Sequence, residues 1–119
     1  MITASEMRKK AEESQKGKLV KKTAEKCLEL IEKRIVRLAE DGETKMSIRN
    51  CDYGKYAQET DNELYEIATR FYGHSHVVDG KRVWFSAGDE EKIQEIVIEA
   101  MTKNGFKFTS DPYCETFSW

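Results

Sequence analysis

The chain has 119 residues, 39% of them apolar and 35% charged, with a net charge of −2. A chain of this length buries about two thirds of the surface that its unfolded form exposes, so a single domain spanning 1–119 is expected, with no need of metal or disulfide support. The modest apolar fraction and high charge imply thin layers under a solvated exterior, and they argue against a large apolar cavity.

Cys27, Cys51 and Cys114 stand at wide spacings that form neither a disulfide framework nor a paired zinc motif, so reduced thiols are expected. No run of about 18 apolar residues occurs, and Met1 leads into the charged stretch Arg8, Lys9, Lys10; the expectation is a cytoplasmic protein without a membrane partner. Charge is bipolar along the chain. Residues 1–49 carry 13 Lys+Arg against 9 Asp+Glu, whereas 50–119 carry 7 against 13. The lysines of the first part alternate with Glu12, Glu13, Glu25, Glu29 and Glu32, a pattern that i,i+4 pairing on solvated helices explains.

Thr3-Ala4-Ser5-Glu6 has capping-box spacing and predicts a first helix. Gly17 interrupts the pattern. Val20, Ala24, Cys27, Leu28, Ile31, Ile35 and Leu38 then recur at threes and fours, the stripe of an amphipathic helix over 18–41 that closes at Asp41-Gly42. That stripe can be buried within one chain or in a homo-oligomer. From Thr44 the period becomes two, with Met46 and Ile48 on one face of a strand, and residues 50–59 read as a loop.

A second capping box, Thr60-Asp61-Asn62-Glu63, opens a helix whose apolar face is Leu64, Ile67, Ala68 and Phe71, ended by Gly73. Asp79-Gly80 between β-rich runs predicts a two-residue hairpin, with Val78 opposite Lys81, His76 opposite Val83 and His74 opposite Phe85. Gly88-Asp89 leads into a helix carrying Ile93, Ile96, Val97, Ala100 and Met101, closed by Asn104-Gly105. Strands at 106–109 and 114–119 flank the turn Ser110-Asp111-Pro112-Tyr113, and Phe117 and Trp119 tie the last strand to the core. The fold class is α+β: N-terminal helices followed by β-α-ββ-α-ββ, with a small antiparallel or mixed sheet covered by helices.

Chemistry-bearing residues are few. His74 and His76, two apart on a strand, project to one face and could share a metal, but no third ligand is placed near them and they face apolar side chains. Cys51-Asp52 with either histidine is the one nucleophile–base pairing that can be assembled, and no local signature surrounds it. Walker-A, G-x-G-x-x-G, H-E-x-x-H and EF-hand patterns do not occur, so neither enzymatic activity nor a cofactor is expected.

The opposite face of the hairpin brings Ser75 and Val77 beside Arg82 and Trp84, and a tryptophan next to an arginine is the pairing most enriched at binding hot spots. Lys81 lies alongside. Tyr53 and Tyr56, next to Gly54 and Lys55, offer rings for stacking on a base or filling a partner's groove. The plainer alternative is that Trp84 packs beneath a core helix and the tyrosines cover the end of the sheet.

Three features give the chain a recognisable layout: the opening Met1-Ile2-Thr3-Ala4-Ser5-Glu6, the helix end Ala39-Glu40-Asp41-Gly42-Glu43, and Asn104-Gly105-Phe106 before a strand finishing in Trp119. In these the chain resembles small uncharacterised proteins encoded by bacteriophages and prophages. The likeness covers the two ends better than the middle, where His74 to Ser86 looks like an insertion, and it brings no catalytic residues. It implies a cytoplasmic accessory protein of an infected bacterium that acts by stoichiometric binding. The first expectation is an inhibitor of a host defence factor, anti-CRISPR-like or otherwise, whose partner is a host protein or nucleoprotein complex. The alternatives are a sponge for a cyclic or other nucleotide signal, and a nucleic-acid-binding accessory protein that uses the basic N-terminal part.

Overall fold

Thr3 begins the first helix as predicted: its Oγ1 accepts the Glu6 amide at 3.2 Å, and α1 runs Ala4–Glu13. The computed structural model describes residues 1–48, 62–111 and 114–119. Within them lie α2 (Gln15–Glu40), β1 (Lys45–Ser47), α3 (Asn62–Phe71), β2 (His76–Val78), β3 (Lys81–Val83), α4 (Ala87–Lys103), β4 (Lys107–Ser110) and β5 (Glu115–Ser118). The predicted loop 50–59, the Thr60 cap, Tyr53, Tyr56 and the Cys51-Asp52 pair lie outside the described residues.

One residue separates α1 from α2. Ser14 takes extended backbone angles, donates its hydroxyl to the Ala11 carbonyl at 2.6 Å and accepts the Gly17 amide at 3.0 Å, so it ends one helix and caps the next. Gly17 sits against the last turn of α1: a β-carbon there would lie 2.3 Å from the Ala11 carbonyl oxygen and 2.6 Å from that of Glu12. The glycine thus sets the angle between the helices by letting backbone approach backbone. No residue of α1 is buried.

The stripe of α2 is covered within the single chain: Val20, Ala24, Cys27, Leu30, Ile31 and Ile35 are all buried. Each fully buried large aliphatic side chain contributes about 1.5–3 kcal/mol, so this stripe is a major part of the folding free energy. The helix ends in a Schellman arrangement, in which the Glu43 amide donates to Leu38 at 2.9 Å and the Gly42 amide to Ala39 at 3.0 Å, with Gly42 at φ +85°.

Against α2 pack α3, α4 and a three-stranded antiparallel sheet in the order β1-β5-β4. Met46, Phe117 and Phe108 stand opposite one another across its three strands and face the helices, where Phe71 meets Phe108. The other face is polar, with Ser47 and Thr116 hydroxyls 3.2 Å apart. Ion pairs from Arg34 and Arg37 to Glu63 tie the start of α3 to α2, and the Tyr72 hydroxyl donates to Glu115 at the start of β5.

The fold is therefore α+β, and the hairpin β2–β3 forms a second sheet of its own. Asp79 and Gly80, at φ +51° and +81°, make the predicted turn, and Val78 opposes Lys81 as His76 opposes Val83. The ladder stops there, so the expected pairing of His74 with Phe85 does not form. Trp119 also departs from expectation. It is 38% exposed and meets Phe106 edge-on at the end of the sheet, while Phe117 alone of the two lies fully in the core.

The contact at Gly17 is testable. Alanine in an exposed helix ordinarily gains about 1 kcal/mol over glycine, whereas here its methyl group would strike two carbonyl oxygens. Gly17→Ala is expected to give no gain in melting temperature and to speed amide exchange over residues 4–13. A stabilised variant with unchanged exchange in α1 would show that the approach is not tight.

Candidate contact surface

Where the hairpin lies over the first turns of α2, the two elements enclose an open cleft of ≈ 770 Å³. Three interactions hold its walls together. The Lys16 ammonium donates to the Trp84 carbonyl and stands 5.0 Å above the Phe85 ring, and Lys22 pairs with Asp79 in the turn. The Lys22–Asp79 pair is solvent-exposed and contributes at most about 1 kcal/mol, so it guides the hairpin without locking it.

Lys16, Lys18, Lys22, Lys81 and Arg82 line this cleft, and Asp79 is the one carboxylate among its described lining residues. Lys18, Lys81 and Arg82 have no ion-pair partner among the described residues; Arg82 donates only to the Ser75 hydroxyl, at 3.3 Å. Trp84, also in the lining, is 70% exposed, and Val77 on the adjoining strand is 53% exposed. The plainer expectation for Trp84, burial beneath a core helix, is not met. β2 and β3 alternate faces, and the side that carries Val83 is the one turned inward.

Of the two histidines, His76 sits on that inner side, whereas His74 precedes the strand and is exposed. The His76 ring lies 5.7 Å from Phe85, and its Nδ1–H donates to the His74 carbonyl at 2.8 Å, while Nε2 is buried with no hydrogen-bond partner among the described residues. His74 packs toward Tyr72 instead, with ring centroids 6.2 Å apart. The two rings thus have different neighbours. Among the described residues no group of three His, Cys, Asp or Glu side chains could hold a metal ion.

Sequence reasoning found Lys81, Arg82 and Trp84 but missed the lysines of α2 that face them. Their signal was the positive balance of residues 1–49, masked by glutamates that stand in α1 or further along α2. A second cleft, of ≈ 360 Å³, shares Lys16 with the first and opens between α1 and the start of α4, where Arg8, Lys21 and Lys92 line it with Glu12 and Asp89. The start of α4 is held by a capping box that the sequence reading also missed: the Ser86 hydroxyl accepts the Asp89 amide at 3.2 Å, and the Asp89 carboxylate accepts the Ser86 amide at 2.9 Å.

Among the described residues no helix is long and apolar enough to cross a membrane. Comparison with known proteins gives no match to a family model, to a curated protein or to a solved structure.

The described cysteines differ from the expectation of uniformly reduced thiols. Cys114 is disulfide-bonded, and Cys27 is free and buried. The Cys27 thiol meets the Ile67 carbonyl oxygen at 3.7 Å; burial pushes it up to about 12 from an ordinary 9.0, against a smaller opposing pull from Arg70. An unfolded thiol ionises near 9.0, so between there and about 12 unfolding releases a proton and stability falls as pH rises. Cys27→Ala is expected to flatten that part of the stability–pH curve, and a thiol reagent is expected to label Cys27 only in denaturant. Rapid labelling of the folded protein would contradict both.

Proposed function

We propose that this protein acts by binding an anionic partner stoichiometrically, with the cleft between α2 and the β2–β3 hairpin as its contact surface. The observation that carries this reading is that Lys18, Lys81 and Arg82, none paired with a carboxylate among the described residues, line one cleft together with the exposed Trp84. Unpaired cations of one sign in a concave site focus the local potential, which raises the encounter rate with an oppositely charged partner. Tryptophan and arginine are also the side chains whose loss most often weakens an interface.

In this reading the chain is a binder without turnover. The resemblance to phage accessory proteins would make its partner a bacterial defence factor and the protein an inhibitor in the host cytoplasm, and that step rests on the resemblance alone.

The chain has a net charge of −2 and a pI of about 5.8, so at neutral pH its overall charge is repelled by a polyanion. Retention on an anionic resin such as heparin or phosphocellulose at low salt is nevertheless expected, with elution as salt rises. The variant Lys18→Glu/Lys81→Glu/Arg82→Glu, whose changes are all at exposed positions, is expected to flow through with an unchanged melting temperature. Flow-through of the unaltered protein, or equal retention of the folded variant, would overturn the proposal.

A further inference from the structure

The two clefts meet at Lys16, and together their described linings carry eight cations and three carboxylates. A local balance of +5 on a chain of −2 leaves −7 for everything else, so the charge is concentrated around the first turns of α2. That helix is also the one described helix with an identified cap and no acidic residue in its first turn, so its positive end is not offset there.

The composition of this surface distinguishes between kinds of anionic partner. Protein interfaces are depleted in lysine at their centres and built on apolar anchors. Here four of the five cations in the hairpin cleft are lysine, and the apolar lining is half-buried or buried at Leu19, Val78 and Val83. Trp84 is the one large apolar side chain that the lining exposes. Lysines that act as point charges, with a single exposed aromatic plane among them, are the parts that single-stranded nucleic-acid sites use: cations follow the backbone phosphates and the ring stacks on a base, which every base permits. An open cleft continuing into a second one suits a strand better than it suits an enclosed small molecule.

We infer that the anionic partner is a single-stranded nucleic acid, bound without sequence preference, with a base stacked on Trp84 and phosphates held by Lys18, Lys81 and Arg82. The inference rests on the proposed binding role of the cleft and names its ligand class. Lys16 and Lys22 keep their intramolecular partners in this arrangement and hold the cleft walls. Arg8, Lys21 and Lys92 extend the track past Lys16.

The test uses the full chain carrying Trp119→Phe, so that Trp84 is the sole tryptophan, titrated with an oligothymidylate of about 20 nucleotides, longer than one such site. Expected is quenching of Trp84 fluorescence and an affinity that falls with salt at a log–log slope of about −2, as three phosphate contacts on a single strand require. Trp84→Ala is expected to weaken binding roughly ten-fold and Trp84→Tyr to recover most of it, without change in melting temperature. Arg82→Ala is expected to make the slope shallower by about 0.7.

Several results would overturn the inference. Polyglutamate binding as tightly as the oligonucleotide, with the same dependence on Lys18, Lys81 and Arg82, would mean an acidic protein partner. A duplex preferred over the single strand would exclude a stacked base, and a mononucleotide or cyclic dinucleotide as tight as the strand would make the site a nucleotide sponge. Each of these leaves the cleft standing as an anion-binding surface. Absence of binding to every polyanion would remove both the inference and the role it rests on.

Discussion

Burial of the α2 stripe is the constraint on which the rest of the structure hangs. A helix of 26 residues with one apolar face has to cover that face, and here α3, α4 and the three-stranded sheet do so from Val20 to Ile35. The stripe begins only at Val20. The first turn and a half of α2, from Gln15 to Leu19, therefore contributes no fully buried residue, and it projects past the core with α1 attached. The hairpin lies over the overhang, and the cleft exists because the core stops before the helix does.

Stability and the proposed contact surface consequently draw on different residues. Phe71, Phe117, Ile31 and Ile93 are fully buried and carry the apolar free energy of folding. Lys18, Lys81, Arg82 and Trp84 are all exposed and belong to no core cluster. Lysines held apart from carboxylates repel one another, which makes the cleft a mildly unfavourable feature of the free protein that an anionic ligand would relieve. The arrangement is tolerable because the surface lies in water, where unpaired charges four or more ångströms apart interact by about 1 kcal/mol or less.

Much of the fold was legible in the sequence because its signals are local. Thr3 at a cap, the stripe of α2, Gly42 and Gly73 at helix ends, and Asp79-Gly80 at a turn each act within a few residues, and each formed where the pattern placed it. The strand period around Met46 was equally plain, but its partner was not. β1 pairs with β5, some 70 residues later, and no local pattern encodes which edge of a sheet a distant strand joins. The separation of the hairpin into its own sheet was hidden for the same reason. Trp119 was misjudged because a large aromatic at a strand end can cap a core from its rim as well as enter it, and here the Phe106 edge gives it a partner without full burial.

The contact surface was legible only in half. The hairpin supplied Lys81, Arg82 and Trp84 together, since they stand within four consecutive residues and all border the cleft. The facing lysines are spread over residues 16 to 22 of a helix where every few positions carry a glutamate, and linear charge balance averages the two signs. Folding separates them. At 100° per residue, Lys18, Lys22, Glu25, Glu29 and Glu32 all fall on one face, but the glutamates stand about 10 Å or more further along the axis than Lys18 and are not among the described lining residues of the cleft. Glu29 instead pairs along the helix with Lys26 and Lys33. The information was present in the sequence as position along the helix axis rather than as composition. Once the hairpin fixes which end of the helix borders the cleft, an acidic chain is seen to carry a cationic cleft.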